Sequence, residues 1–372
     1  SFVPLIVGFG CNVPAVMATR TLDNEPDRIL TTLMAPYMSC GARLTVYALF
    51  AAAFFPSGGQ NVVFALYLIG IIAAVLSALA VRRYLIQAPE SQFMLELPAY
   101  HMPTLKGLIL QTWQRLKGFV VRAGKAIVAV VIILNMVSTI GTDGSIGNQD
   151  SENSLLSAIG KTITPAFEPM GIREDNWQAT VGIFTGIFAK EVVVGTLDAL
   201  YSPAGEEESA TLAEQIADAF ASVPANLADL GSTLTDPLGI GISEHESLEG
   251  AASENEVATG TIARLQASFD GQLGAFSYLL FILLYMPCVA TIGVIVKEIG
   301  RFWAIFSTVW SVVLAYTAAT LCYQLGSIAE DPTSALITSG LALLAAGGMF
   351  MLLVYYGRRQ TPQLIPLVNL ES

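Results

Sequence analysis

The sequence has 372 residues, of which 53% are hydrophobic and 13% are charged, and its net charge is −12. Soluble domains carry roughly 25% charged residues, so this composition predicts an integral membrane protein. The acidic balance excludes nucleic acid as an expected partner. There is no Gly-x-x-x-x-Gly-Lys-Ser/Thr loop for a nucleotide, and the two histidines, His101 and His245, do not form a zinc motif.

The first segment, 1–19, is apolar but interrupted by Gly8, Gly10, Asn12 and Pro14. A spanning helix avoids such breaks unless the backbone is buried in protein or lines a cavity. Transporters build substrate sites in this way. There is neither an initiator Met nor a signal-peptide pattern, so we expect the sequence to be a portion of a longer protein.

Apolar runs near the roughly 20 residues of a spanning helix follow along the chain. They lie at 36–56, 61–81, 119–140, 273–296, 302–325 and 335–357. An amphipathic pattern at 103–117 predicts a helix along the inner interface. Segment 177–200 is a second interrupted apolar stretch, in which Lys190 and Glu191 follow Phe188-Ala189. The prediction is therefore six spans and two broken segments.

The short basic loops define an orientation, because Lys and Arg favour the cytoplasmic side. They place the basic loops and the tail 358–372 inside and two acidic stretches, 142–176 and 201–272, outside. The insert 201–272 carries thirteen acidic residues and one basic residue, and helical spacing at 209–221 and 255–269 predicts a small helical cap. Segment 177–200 then has outside loops at both ends, so it cannot cross the membrane; it enters and returns, or it lies flat.

A short internal match supports a duplicated layout. Tyr37-Met38-Ser39-Cys40-Gly41-Ala42 agrees with Tyr285-Met286-Pro287-Cys288-Val289-Ala290 at Tyr, Met, Cys and Ala. The first copy opens a helix that runs outward and the second lies in a helix that runs inward. We therefore predict an all-α protein of two halves, 1–140 and 141–357, related as an inverted repeat.

The four cysteines all fall at predicted membrane depth, which argues against a secreted disulfide framework. Cys11 lies in a broken segment, and Cys40 and Cys288 occupy equivalent places in the repeat, with Met38 and Met286 nearby. Thiol and thioether sulfur suit a borderline-soft transition metal better than Mg²⁺ or Ca²⁺. Packing is the other interpretation for any membrane cysteine, and it is the one we adopt for Cys322.

Three polar residues accompany these cysteines. Asn12 offers an oxygen or an amide at the first break, or it caps the following half-helix. Lys190 and Glu191 are costly in an apolar segment unless they face a cavity or are paired. They fix the second break through structural ion pairs or form a coupling-ion site.

Four blocks resemble the ferrous iron transport protein B family. They are Pro4–Ala15 followed by Arg20-Thr21-Leu22, Ala35–Arg43, Phe188–Val193 and Tyr285–Thr291. The resemblance implies a bacterial inner-membrane Fe²⁺ importer with two gate regions, in which Cys11, Cys40 and Cys288 line the iron path. It also implies an N-terminal GTP-binding domain that lies outside these residues and accessory Feo proteins as partners. GTP and Mg²⁺ would then bind only through that domain, and no stably bound cofactor is expected here.

The sequence analysis therefore predicts a permease core rather than an enzyme. Two alternatives remain open: a carrier for a small organic solute such as a nucleoside, and a membrane scaffold that docks a GTPase. Selectivity among Fe²⁺, Mn²⁺ and Zn²⁺, channel or carrier behaviour, and assembly into a homo-oligomer are also open.

Overall fold

The computed structural model describes most of the membrane portion of the chain. The described residues are 2–86, 104–141, 145, 154–201, 222, 224, 259–329 and 331–360. Most of the acidic insert, including the predicted helix at 209–221, lies outside them, as do His101 and His245. Within the described residues the regular structure is helical, which confirms the predicted all-α class.

The helices fall into short pieces and long rods. In chain order they are α1 Phe2–Gly10, α2 Asn12–Ala18, α3 Glu25–Met34, α4 Gly41–Phe54, α5 Gly59–Tyr84, α6 Leu105–Thr139, α7 Leu155–Ile163, α8 Trp177–Phe188, α9 Val192–Tyr201, α10 Thr259–Ser268, α11 Gly271–Leu284, α12 Val289–Ile299, α13 Arg301–Gly326 and α14 Pro332–Gln360. Short 3-10 turns at Thr19–Thr21, Ala35–Tyr37 and Thr164–Met170 connect some of them.

The order of these elements repeats. Each half contains two interrupted helices followed by two long ones: α1/α2, α3/α4, α5 and α6 in the first, and α8/α9, α11/α12, α13 and α14 in the second. The third element of each set, α5 or α13, has 26 residues. The predicted duplication of the chain is compatible with this order.

Two segments predicted as continuous spans, 36–56 and 273–296, are in fact interrupted. Helix α3 passes through a 3-10 turn and ends before Met38, and α4 starts at Gly41. Helix α11 ends at Leu284, and α12 starts at Val289. Pro287 accounts for the second interruption, because proline disfavours the α conformation in the residue that precedes it. At the first interruption Ala35 is still helical before Pro36, and the backbone becomes extended only at Met38. The protein thus has four broken segments in the described residues rather than two.

Five helical stretches in the described residues are long and apolar enough to cross a membrane. They are Glu25–Phe54, Gly59–Tyr84, Gly271–Ile299, Arg301–Gly326 and Pro332–Arg359. The predicted interfacial helix at 103–117 and the predicted span at 119–140 form one continuous helix, α6. Amphipathic and apolar halves joined without a Pro or Gly-rich break can continue as a single rod, so the change of pattern did not mark a helix end.

The acidic stretch at 142–176 includes packed structure. Ser154 caps α7 by accepting a hydrogen bond from the Ser157 amide at 3.1 Å. Thr164 and Met170 of the following 3-10 turn are fully buried. In the insert, α10 lies within the predicted helix at 255–269.

Helix α11 forms the centre of the protein. It packs against α4, α5 and α13, and nearly every residue from Gly274 to Leu284 is buried. An aromatic cluster of Phe50, Phe54, Phe269 and Tyr278, with ring centroids 5.1–5.8 Å apart, joins it to α4. The two halves of the sequence therefore share one core, with the breaks of α3/α4 and α11/α12 inside it.

Candidate translocation site

Three of the four breaks have a cysteine at the start of a half-helix. Cys11, Cys40 and Cys288 are the N-cap residues of α2, α4 and α12, and each has an extended backbone. At such a position the chain leaves the helical hydrogen-bond ladder, so backbone groups and the side chain are available to a ligand. None of the three side chains caps its own helix.

The fold brings these three cysteines together from distant parts of the sequence. Cys11 lies within electrostatic range of Cys40, Cys288 and the Glu191 carboxylate. Cys11 and Glu191 are exposed, whereas Cys40 and Cys288 are half-buried. The side chain of Cys288 also lies 3.1 Å from the hydroxyl of Thr291. A single region therefore contains three thiols and one carboxylate, on elements from both halves.

These groups do not form a closed metal cage. Within the residues that the structure describes, no three His, Cys, Asp or Glu side chains are grouped so that they could hold a metal ion together. A conduction pathway needs sites that bind an ion weakly enough to release it, whereas a structural metal site holds its ion permanently. The loose grouping of the thiols is compatible with the first of these uses.

Asn12 joins two of the breaks. In the amide orientation that satisfies hydrogen bonding, its nitrogen donates to the carbonyls of Gly8 at 3.2 Å and Ala35 at 2.8 Å. Asn12 is the first residue of α2 rather than its cap. Its side chain therefore ties the end of α1 to the 3-10 turn before Cys40, an arrangement that neither sequence interpretation of Asn12 included.

The two methionines differ in their surroundings. Met38 is buried, and a Cβ added at Gly8 would lie 3.1 Å from the Met38 Cβ, so this glycine allows the first two breaks to approach closely. Met286 is partly buried and packs against the main core. Cys322 also packs against that core, from α13.

Lys190 and Glu191 point in different directions at the second broken segment. The Lys190 side chain is buried, with its ammonium nitrogen 4.0 Å from the centre of the Tyr285 ring. Glu191 is exposed on the side of Cys11. The cation–π contact links the break of α8/α9 to the break of α11/α12.

Arg43 belongs to the same region, although our sequence analysis assigned it no role. Its side chain is fully buried, and its Nη1 donates to the carbonyls of Pro36 at 3.0 Å and Met38 at 3.3 Å. It therefore satisfies carbonyls that the break of α3/α4 leaves without helical partners. The sequence contained a signal for this role, because a buried arginine within an apolar span is energetically costly unless its charge is stabilised by hydrogen bonds.

An ion pair connects the two halves beyond the breaks. The Arg20 guanidinium, after α2, donates two hydrogen bonds to the Glu298 carboxylate near the end of α12, one of them 2.6 Å long from Nε. Glu298 is almost buried and Arg20 is half-exposed. This contact raises the pKa of the Arg20 guanidinium above its usual value.

Loss of this pair should loosen the contact between α2 and α12. We expect Glu298→Ala and Arg20→Ala each to lower the free energy of unfolding by about 1 kcal/mol, and the double variant to cost less than the sum. Equilibrium unfolding in mixed micelles measures these differences. The exposed pair Arg173–Asp175 is the matched control, since its solvated charges should contribute little. Additive effects of the two Arg20–Glu298 replacements would contradict the assigned coupling.

Two family models and several curated relatives match this chain. Residues 63–115 match the family described as "Ferrous iron transport protein B C terminus", and residues 1–54 and 120–234 match the Gate family described as "Nucleoside recognition". The chain is 48% identical over 343 residues to "Fe(2+) transporter FeoB" of Legionella pneumophila (strain Lens), an alignment that covers 91% of this chain. The chain belongs to the ferrous iron transport protein B family.

A relative from a second organism shows a similar degree of identity. "Fe(2+) transporter FeoB" of Salmonella typhi is 46% identical over 346 residues, which cover 91% of this chain and 43% of the relative. The alignment with the Legionella protein covers 44% of that relative, so the chain spans less than half the length of the curated relatives it matches. No solved structure matches the chain.

Proposed function

We propose that this chain is the permease portion of a Fe²⁺ importer of the bacterial inner membrane. Support comes from relatives named Fe(2+) transporter and from the five long apolar helices. The observation that carries the proposal is the grouping of Cys11, Cys40 and Cys288 at the starts of three half-helices.

In this proposal the three thiols are transient ligands along the ion path. Thiol sulfur favours borderline-soft divalent ions, and water, backbone carbonyls and the exposed Glu191 carboxylate supply oxygen ligands around it. Cys11 and Glu191 are the exposed members and form the entrance or exit, whereas Cys40 and Cys288 lie deeper. An ion that moves between such sites exchanges only part of its ligand shell at each step, which keeps the barrier low.

Asn12, Met38 and Lys190 position the path rather than bind the ion. The Asn12 amide donates to two carbonyls, Met38 is packed beneath Gly8, and the Lys190 ammonium lies on the Tyr285 ring. Met286 is only partly buried, so its thioether could serve as an additional soft ligand close to Cys288. As the sequence predicted, the cysteines are assigned to the ion path and the neighbouring residues to its support.

The remaining parts of the transport system belong to the proposal as well. GTP hydrolysis and Mg²⁺ are assigned to an N-terminal domain beyond these residues, which would control the permease, and small accessory Feo proteins are candidate partners. Within this chain we propose two inverted halves, 1–140 and 141–357, the external insert 201–272 and the cytoplasmic tail 358–372.

The inverted arrangement predicts which loops face outward. Ser57, between α4 and α5, and Asp331, between α13 and α14, should face the periplasm, whereas Arg83 should face the cytoplasm. We expect an impermeant maleimide to label Ser57→Cys and Asp331→Cys in intact cells, in a variant whose four native cysteines are serine. Arg83→Cys should react only after permeabilisation. Labelling of Arg83→Cys from outside would contradict the orientation.

A second candidate function is transport of a small organic solute of the nucleoside type. The match to the family described as "Nucleoside recognition", which includes both N-terminal breaks, favours it. A nucleoside is recognised by hydrogen bonds and aromatic contacts, so this function does not need three thiols in one region. A membrane scaffold that docks a GTPase is a third role, and it predicts no flux.

Anaerobic uptake by the complete natural protein in proteoliposomes tests these functions together. With GTP supplied, we expect accumulation of Fe²⁺ and no accumulation of labelled nucleosides. Nucleoside uptake without iron uptake would support the solute carrier. Absence of flux for both, in a preparation that hydrolyses GTP, would support the scaffold.

A further inference from the structure

Two buried cations lie next to each other where the breaks meet. The Arg43 side chain has no exposed surface, the Lys190 residue is 3% exposed, and the two charges lie within electrostatic range. They come from different halves of the sequence, on α4 and between α8 and α9. Two like charges removed from water in a membrane protein repel each other and need a compensating negative charge.

The hydrogen-bonding capacity of this pair is only partly used. Arg43 donates from Nη1 to two carbonyls, but among the described residues its Nε and Nη2 have no hydrogen-bond partner, and neither does the Lys190 ammonium. The Tyr285 hydroxyl, on the ring that lies under Lys190, is also buried without a partner. Unsatisfied buried donors are rare in native proteins and call for a ligand or water.

Within the part of the chain that the structure describes, no carboxylate is among the charged neighbours of Lys190. The titratable groups within electrostatic range of Lys190 are Arg43, Cys40 and Cys288. Arg43 likewise lies within range of Tyr285 and Tyr47. Glu191, although adjacent to Lys190 in sequence, is exposed and lies on the side of Cys11.

We propose that Arg43, Lys190 and Tyr285 bind one small inorganic anion of the halide class. The anion would accept hydrogen bonds from the free guanidinium N–H groups, the ammonium and the tyrosine hydroxyl, and it would neutralise part of the paired charge. The site lies beside Cys40 and Cys288, so the bound anion also lowers the positive potential that a divalent cation meets there. The inference rests on the buried cluster and does not depend on iron transport.

Thermal unfolding in different salts tests the site without iron. The complete protein in lipid nanodiscs, with a chelator present, is compared at equal ionic strength in sodium chloride, sodium bromide and sodium gluconate, the anion of which is a bulky organic carboxylate rather than a halide. We expect chloride or bromide to raise the melting temperature by about 5 °C over gluconate, in a saturable manner. Equal melting temperatures of the wild type in all three salts would overturn the proposal.

Single substitutions test whether the halide-dependent rise in melting temperature comes from the proposed site. Lys190→Met should lose the halide-dependent rise and melt in gluconate at least as high as the wild type, because an uncompensated buried charge is removed. Lys190→Arg should keep part of the rise. Lys297→Met, near the end of α12, removes the same charge away from the cluster and should keep all of it. Loss of the rise in Lys297→Met as well would show a general salt effect and overturn the proposal.

A second readout is independent of stability. Bromide binding to purified protein, followed by the line width of its nuclear magnetic resonance, should be displaced by chloride and should disappear in Lys190→Met. If the Cys40 and Cys288 thiolates neutralise the cations instead, the wild type binds no bromide and Lys190→Met melts lower than the wild type in every salt. That result would overturn the anion site while leaving the transport proposal standing.

Discussion

Replacing Cys40 or Cys288 by serine is expected to lower the initial rate of Fe²⁺ uptake roughly 10- to 100-fold. Serine has nearly the same shape as cysteine, but its hydroxyl is a harder and less easily ionised donor than a thiol. Both side chains are half-buried at the starts of half-helices, where another donor could not easily take their place. Anaerobic uptake into proteoliposomes measures the effect.

The chain contains its own control for this experiment. Cys322→Ser makes the same chemical change in α13, against the core and away from the breaks, and should leave the rate unchanged. Cys11→Ser should also lower uptake, because Cys11 is the exposed thiol of the group. Wild-type rates in Cys40→Ser and Cys288→Ser, with both proteins folded, would remove the thiols from the path.

A large effect on stability is expected where α5 crosses the break of α3/α4. A Cβ added at Gly70 would lie 2.7 Å from the Tyr37 carbonyl oxygen and 3.3 Å from a Leu283 methyl group. Because a backbone carbonyl cannot swing aside as a side chain can, Gly70→Ala must push α5 away from the 3-10 turn. We expect a loss of about 1–3 kcal/mol in the free energy of unfolding and reduced iron uptake.

Gly347→Ala is the matched control for that substitution. Gly347 lies on the exposed face of α14, and a Cβ there would meet nothing within 4 Å. Alanine should therefore be neutral or slightly stabilising, because it favours the helix over glycine. Equilibrium unfolding in mixed micelles compares the two. Equal stabilities of Gly70→Ala and the wild type would show that the close approach of α5 to the break does not exist in the protein.

The membrane class and most of the long helices could be predicted because they depend on composition and on uninterrupted apolar length. Helices α5, α13 and α14 extend only a few residues beyond their predicted spans. The boundaries differ because polar residues at helix ends can continue a helix, as Arg82 and Arg83 do in α5. Hydropathy marks the part of a helix that lies in lipid rather than the whole helix.

Apolar length alone does not reveal the breaks near Pro36 and Pro287, because both lie within long apolar sequence. The two predicted broken segments contain glycines or charges that interrupt the apolar pattern, whereas the sequences Pro36–Gly41 and Tyr285–Val289 contain no charged residue. The available signals were Pro287 directly before Cys288 and Gly41 directly after Cys40.

The grouping of side chains around the breaks could not be predicted from the sequence. The repeat related Cys40 to Cys288, but pattern alone does not bring Cys11, Lys190 and Arg43 to the same region, since they come from three separate elements. Arg43 belongs to one of the four blocks that resemble the family, but membership of that block alone predicts no role for it. The anion proposal depends on its burial and on its guanidinium N–H groups that lack partners among the described residues. Contacts of this kind depend on tertiary packing, which local periodicity does not encode.

X-ray absorption at the iron edge tests the central claim most directly. The complete protein in nanodiscs, loaded anaerobically with Fe²⁺, is compared with the variant that combines Cys11→Ser, Cys40→Ser and Cys288→Ser. We predict sulfur scatterers near the metal at about 2.3 Å in the wild type and their loss in the variant. Oxygen and nitrogen scatterers alone in the loaded wild type would contradict a thiol-lined path.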